Sequence, residues 1–247
     1  SWVGNTEDWF TASNWASGNI PSLSTEIDIP ESPSGGNQPV INGDAFCKDL
    51  SLEVNSSLTL RAGSTLEIAN DVDNSGTIVL ESTNSSLSSL MLPETMTNSG
   101  NVNVQLTLDP DHYWYMSSPL QNTVAGWFKP SEDVSKDYVY VFEVVDNRWQ
   151  WIRLDQTDVD NNRLIGDMQG VVGYYYTDTK YLDYTGTVQN SDLTVTPDDP
   201  GYHLVGNPYP TAIDWEDPAG WTRDGFSNTI WSWINYGGER IIQTYNN

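Results

Sequence analysis

Val72-Asp73-Asn74-Ser75-Gly76-Thr77-Ile78 returns 24 residues later as Met96-Thr97-Asn98-Ser99-Gly100-Asn101-Val102. An Asn-Ser-Gly turn between apolar residues, repeated at an interval of this size, is the sequence form of one coil of a β-solenoid. The neighbouring apolar runs agree. From about Val40 to Leu108 they are Leu50-Ser51-Leu52, Leu58-Thr59-Leu60, Leu66-Glu67-Ile68, Ile78-Val79-Leu80 and Val102-Asn103-Val104. Most alternate apolar with polar residues, the period of a strand with one face inward. Each coil leaves an apolar face that only its neighbour can cover, so coils come stacked. A β-sandwich built from the same runs is the alternative.

Working outward, an end coil needs a cover. Trp2, Trp9 and Asn14-Trp15 stand ahead of Gly18-Asn19-Ile20-Pro21 and Glu26-Ile27-Asp28-Ile29-Pro30, and their bulk suits that task. After Leu108 the texture changes. Eight of the eleven tryptophans lie beyond residue 110, so the second part is built differently from the first. Strands are expected over Tyr138–Val145, Arg148–Leu154, Val171–Thr177 and Thr229–Trp233, with a short helix at Thr123–Phe128. Asp109-Pro110 punctuates the switch. The fold class is therefore all-β: residues 1–108 form a Trp-capped short β-solenoid, and 109–247 form an aromatic-rich, antiparallel, β-sandwich-like domain.

Composition narrows the function. Thirty-four acidic residues against ten basic ones give a formal charge of -24. Such a field repels nucleic acid, whose phosphates need clustered Lys and Arg. No run approaches the roughly 20 apolar residues of a membrane span, so neither nucleic acid nor membrane insertion is expected. Cys47 is the only cysteine. It reads as a small buried apolar residue, and no intramolecular disulfide or zinc cluster can form. No leader precedes Ser1-Trp2, the opening expected of a processed or excised piece.

A second motif lies downstream. Gly201-Tyr202-His203-Leu204-Val205-Gly206-Asn207-Pro208-Tyr209-Pro210 runs on to Asp214-Trp215. Two prolines flanking a tyrosine after Gly-Asn dictate a rigid turn. The Tyr209-Pro210 bond is a candidate for cis, and Tyr209 for a buried anchor. This block resembles the Gly-Asn-Pro-Tyr-Pro signature of large surface proteins exported by the type IX secretion system of the Bacteroidota. The likeness extends to Tyr113-Trp114-Tyr115-Met116-Ser117-Ser118-Pro119, to Gly173-Tyr174 and to the Trp-rich opening. It implies an extracellular or cell-surface location, a structural role for Asn207, Pro208, Tyr209, Pro210, Asp214 and Trp215, and further strands with a C-terminal sorting domain beyond Asn247.

Candidate chemistry is sparse. Trp149 and Trp151, Tyr174 and Tyr176, and Trp231 and Trp233 are each two apart, which puts both members of a pair on one face of a strand. Exposed, such pairs offer platforms for sugar rings; buried, they are core. Asp155, Asp158 and Asp160 crowd one loop, where calcium is the one cofactor left open. The EF-hand pattern fails there, because Arg163 stands where its glycine belongs and Gln169 where its bidentate glutamate belongs. A solvated turn is the alternative. No Gly-x-Ser-x-Gly elbow or metal-ligand spacing of His112 and His203 supports catalysis. The expected function is a non-enzymatic extracellular structural or adhesion module, part of an adhesin, stalk or filament, with surface glycans or copies of itself as partners. The alternative is a glycan-binding module of a larger polysaccharide-processing protein.

Overall fold

The short alternating runs become the rungs of two parallel sheets. In the computed structural model the described residues are all except 94–95, 98–99, 130–136, 146–147, 177, 197–202, 218–219, 226, 228, 237–238 and 246–247. Asn98 and Ser99 of the second repeat copy, and Gly201 and Tyr202, thus lie outside the described residues. The first strands are β1 (Glu26–Ile29), β2 (Val40–Ile41), β3 (Asp44–Leu52), β4 (Ser57–Leu60), β5 (Thr65–Asn74), β6 (Thr77–Thr83), β7 (Ser89–Met91) and β8 (Asn101–Leu108). Odd-numbered strands stack in the order β1-β3-β5-β7 and even-numbered ones as β2-β4-β6-β8, all parallel. This is a β-solenoid of about three turns.

Register follows the repeat. Thr77 pairs with Asn101 and Ile78 with Val102, the offset of 24 seen in the sequence. Leu58, Leu60, Ile78, Leu80 and Val102 point inward in a row and are buried. Each such residue stabilises the fold by roughly 1.5–3 kcal/mol relative to exposure. Asn74, fully buried, donates from Nδ2 to the Asn101 carbonyl at 3.1 Å, a polar tie between successive coils. In β3 the register against β5 shifts between Cys47 and Asp49. Ala45 and Cys47 point inward before the shift and Leu50 and Leu52 after it, so the bulge restores the apolar face. Lys48 at the bulge pairs outside with Glu26 and Asp49.

Cys47 is fully buried, as expected. Burial, with the Asp49 charge adding to it, pushes its thiol pKa up to about 12. In native protein at pH 8 it should therefore resist a thiol reagent such as Ellman's, and react stoichiometrically only after denaturation. Fast labelling of the folded protein would refute that.

Both ends of the solenoid are covered. At the first, Trp2, Trp9 and Trp15 are buried and packed edge-to-face, with centroids 4.9 Å (Trp2–Trp15) and 4.7 Å (Trp9–Trp15) apart. Their backbone ties into both sheets: the Trp2 amide donates to Asp28 and the Trp9 amide to Val40. At the other end, β13 (Lys180–Gly186) adds antiparallel to β8. The Leu90 amide of β7 donates to the Pro210 carbonyl at 2.7 Å.

Between β8 and β13 the chain forms β9 (Tyr113–Met116), β10 (Asp137–Val145), β11 (Arg148–Arg153) and β12 (Val171–Tyr175), an antiparallel sheet ordered β11-β10-β12-β9. Helix α1 (Ala125–Phe128) lies within the expected 123–128 span. It places Trp127 against buried Tyr184 of β13, stacked at 4.9 Å. Among the described residues one hydrophobic core runs from Trp2 to Val188. The chain divides into two compact units, Ser1–Ala212 and Ile213–Asn247. Asp109-Pro110 instead marks where parallel coils give way to antiparallel strands. In the second unit β14 (Ile230–Tyr236) and β15 (Glu239–Tyr245) form a hairpin. No described helix is long and apolar enough to cross a membrane.

Candidate functional site

Alternation splits the sheet β11-β10-β12-β9 into two unlike faces. Val139 and Val141 of β10 and Val171, Gly173 and Tyr175 of β12 face the core and are buried. A side chain at Gly173 would meet the Tyr175 hydroxyl at 2.7 Å, so glycine is needed for the ring to lie there. That hydroxyl donates to the Phe128 carbonyl at 2.7 Å.

The opposite face is aromatic. One row across three strands reads Tyr113, Tyr174, Tyr138; the next reads Tyr115, Val172, Tyr140, Arg153; a third pairs Phe142 with Trp151. Trp151, Tyr113 and Tyr115 keep 50%, 49% and 46% of their surface exposed, whereas Val172 between its neighbours is buried. The rings brace one another at 4.7 Å (Tyr113–Tyr174), 4.6 Å (Tyr174–Tyr176) and 4.8 Å (Phe142–Trp151), tilted by 50–63°. Arg153 lies 4.0 Å above the Tyr138 ring. Exposed apolar patches of this kind mark interaction surfaces.

Among the expected ligand residues, Trp151, Tyr174 and Tyr176 thus meet on or beside this face. Trp149 pairs with Val144 in the register of β10 and β11, and its side chain lies outside the described residues. Trp231 is exposed on the separate hairpin, and the side chain of Trp233 is also outside the described residues. The sequence reading did not include Tyr113, Tyr115, Tyr138 or Tyr140 in the site. Their spacing of two was visible, but only the register shows which strands lie side by side.

The loop read as a solvated turn or calcium site is a helical turn, α2 (Gln156–Asp160). Asp155 caps it, accepting from the Thr157 and Asp158 amides, and Asp158 returns the bond to the Asp155 amide. Asp-x-x-Asp, a capping-box pattern, was the overlooked signal. Asp158 also pairs with Arg163 at 3.0 Å, and Asp160 accepts from Gln156. Among the described residues no three His, Cys, Asp or Glu gather to hold a metal.

Around the second motif, the Asn207 side chain accepts from the Tyr209 amide at 2.9 Å and donates to the Thr211 carbonyl, fixing the turn. Ser117 Oγ donates to the Asn207 carbonyl at 2.6 Å, and any side chain at Gly206 would strike Ser117. The Ser-Ser-Pro and Gly-Asn-Pro-Tyr-Pro segments are therefore two halves of one node. Two expectations need correction. Among the described residues no peptide bond is cis, because the Asn207 hydrogen bonds shape a turn that accepts trans prolines. Pro208 and Pro210 are buried, whereas Tyr209 is half-buried with its hydroxyl on the Ser191 carbonyl at 3.2 Å. Tyr209→Ala should accordingly cost about 1–2 kcal/mol in urea unfolding, not the roughly 3 or more of a fully buried ring. Asp214 and Trp215 belong to the second unit. The Trp221 indole donates to the Asp214 carbonyl at 2.7 Å and packs 4.7 Å from Trp215.

A family model matches residues 1–238 of the 247. The chain belongs to this family, DUF8693, a domain of unknown function. The match takes in the solenoid, the aromatic sheet and the first strand of the hairpin, β14, so the DUF8693 domain joins both β-architectures. No curated protein and no solved structure matches the chain.

Proposed function

We propose that this DUF8693 chain is a non-enzymatic, extracellular contact module, a structural or adhesive part of a larger surface protein exported by a type IX-like route. One observation carries the reading: a whole sheet face given to partly exposed aromatics, on a chain that is otherwise strongly acidic. Apolar rings that a monomer could have buried contribute most where a partner covers them. The resemblance at Asn207–Pro210 and at Tyr113–Pro119 supports the proposed location and export route.

A second reading, glycan binding, has an observation of its own. Burial and then the nearby Asp111 carboxylate hold the Tyr174 hydroxyl above its ordinary pKa, which places a carboxylate beside exposed rings, an arrangement that suits a sugar. Against it, the rings tilt toward one another instead of lying flat.

The test is a Tyr115→Ser/Trp151→Ser double variant, in which both positions are exposed. Self-association by sedimentation velocity and capture on surface polysaccharides should both be measured. The reading expects an unchanged thermal midpoint and at least a tenfold loss of whichever contact the unaltered chain makes. Contact retained by the double variant overturns it, as does turnover of any polysaccharide by the chain.

A further inference from the structure

We propose that the open basin next to Tyr138 binds the carboxylate of an acidic sugar, a uronic-acid residue set among neutral ones. It deepens the glycan reading and rests on it for the source of the carboxylate. The basin has a volume of about 650 Å³, within the range of small-ligand sites, and Lys129, Tyr138, Arg153, Gln156 and Thr157 line it.

Lys129 is only 4% exposed, yet its ammonium donates just one described bond, 3.4 Å to the Asp137 carbonyl. Among the described residues no carboxylate reaches it within ion-pair distance. The three carboxylates whose charge acts on it are engaged elsewhere, Asp158 with Arg163 at 3.0 Å. Asp137 is fully buried and meets Lys180 Nζ at 3.0 Å, an ion pair and not an aligned hydrogen bond. Asp155 lines the basin too, but its Oδ1 accepts from the Thr157 and Asp158 amides at 2.7 and 3.1 Å. Burying an ammonium without a partner is costly, and a ligand carboxylate entering the basin removes that cost.

Arg153 strengthens the case. It brings a second cation to the same basin, in a chain with only ten basic residues. Burial and then the Arg153 charge hold the Lys129 amine below its ordinary pKa. An anion seated between the two opposes both effects. The rest of the lining distinguishes a sugar from an acidic peptide. Tyr138 supplies an aromatic wall, and the Gln156 amide and Thr157 hydroxyl suit ring hydroxyls. A chain of charge -24 repels a densely acidic peptide far more than a sugar bearing one carboxylate.

The experiment is an amide-shift titration of the full chain with D-glucuronate, its methyl ester, D-glucose and a tri-glutamate peptide. Lys129→Met, which keeps the buried stem, and Arg153→Gln at an exposed position are the variants. The expected result is saturable glucuronate shifts at Arg153, Gln156 and Thr157, weakened roughly tenfold in either variant, with no saturation by the ester or glucose. Absence of saturable glucuronate binding, or equal binding by both variants, overturns the proposal. Tighter binding of tri-glutamate overturns the sugar assignment. Polysaccharide capture lost in Trp151→Ser but kept in Lys129→Met removes the basin and leaves the aromatic face standing.

Discussion

Replacing Trp15 with alanine is expected to lower the stability of Ser1–Ala212 by about 4–5 kcal/mol. The indole is almost fully buried between Trp2 and Trp9, and its N–H donates to the Trp9 carbonyl at 2.8 Å. Truncation removes both ring contacts, opens a cavity over the first coil and leaves that buried carbonyl without its donor. For a unit of this length the thermal midpoint should fall by roughly 10 °C or more. Trp9→Phe is the informative comparison. Trp9 is fully buried as well, but its ring nitrogen has no partner, so phenylalanine removes volume without breaking a bond. Its loss should be distinctly smaller. Equal effects of the two changes, or no shift in Trp15→Ala, would mean that the tryptophans do not hold the end coil.

Gly100→Ala should be nearly as damaging, at about 3–4 kcal/mol. Gly100 has φ of +54°, which costs an L-residue about 1–2 kcal/mol. A methyl group there also overlaps the Asn74 carbonyl oxygen of the preceding coil and lies 2.6 Å from the Asn74 side-chain amide. Since that amide ties two coils together, the clash cannot relax locally. Gly76, its partner in the repeat, lacks the positive φ but sits as tightly, with a methyl 2.7 Å from Ser56 Oγ and 2.8 Å from the Glu53 carbonyl. Urea titration of Gly100→Ala decides the matter: a midpoint unchanged within error would show that the coil spacing is not set by this turn.

The solenoid was legible because its signals are local. The Asn-Ser-Gly repeat gives the coil length, and Leu58, Leu60, Ile78 and Leu80 give the inward face by alternation alone. The tryptophan cap followed from the need to cover an end coil, and Trp2, Trp9 and Trp15 are buried there. The second half was less legible because its pairings are long-range. Lys180-Tyr181-Leu182-Asp183-Tyr184 alternates as clearly as any run, yet nothing in it says that its partner is β8, reached across some 70 residues. The aromatic face shows the same limit. Trp151 and Tyr174 could be named from spacing, but register brings Tyr113, Tyr174 and Tyr138 into one row. Asp155 and Asp158 were less legible for another reason. Acidic residues on a short loop look alike whether or not they serve a helix end, and only the reciprocal amide contacts show that these two do.

The seals at the two ends carry a consequence for how such a domain can vary. With tryptophans closing one edge and β13 and Pro210 closing the other, the stack cannot grow by accretion, since a sheet edge already paired offers no template. It can lengthen from within. One more copy of the span from Thr77 to Gly100, inserted between coils, would leave both lids untouched and move them apart by one strand spacing, about 4.8 Å. Duplication would thus make the domain a ruler whose graduations are single coils.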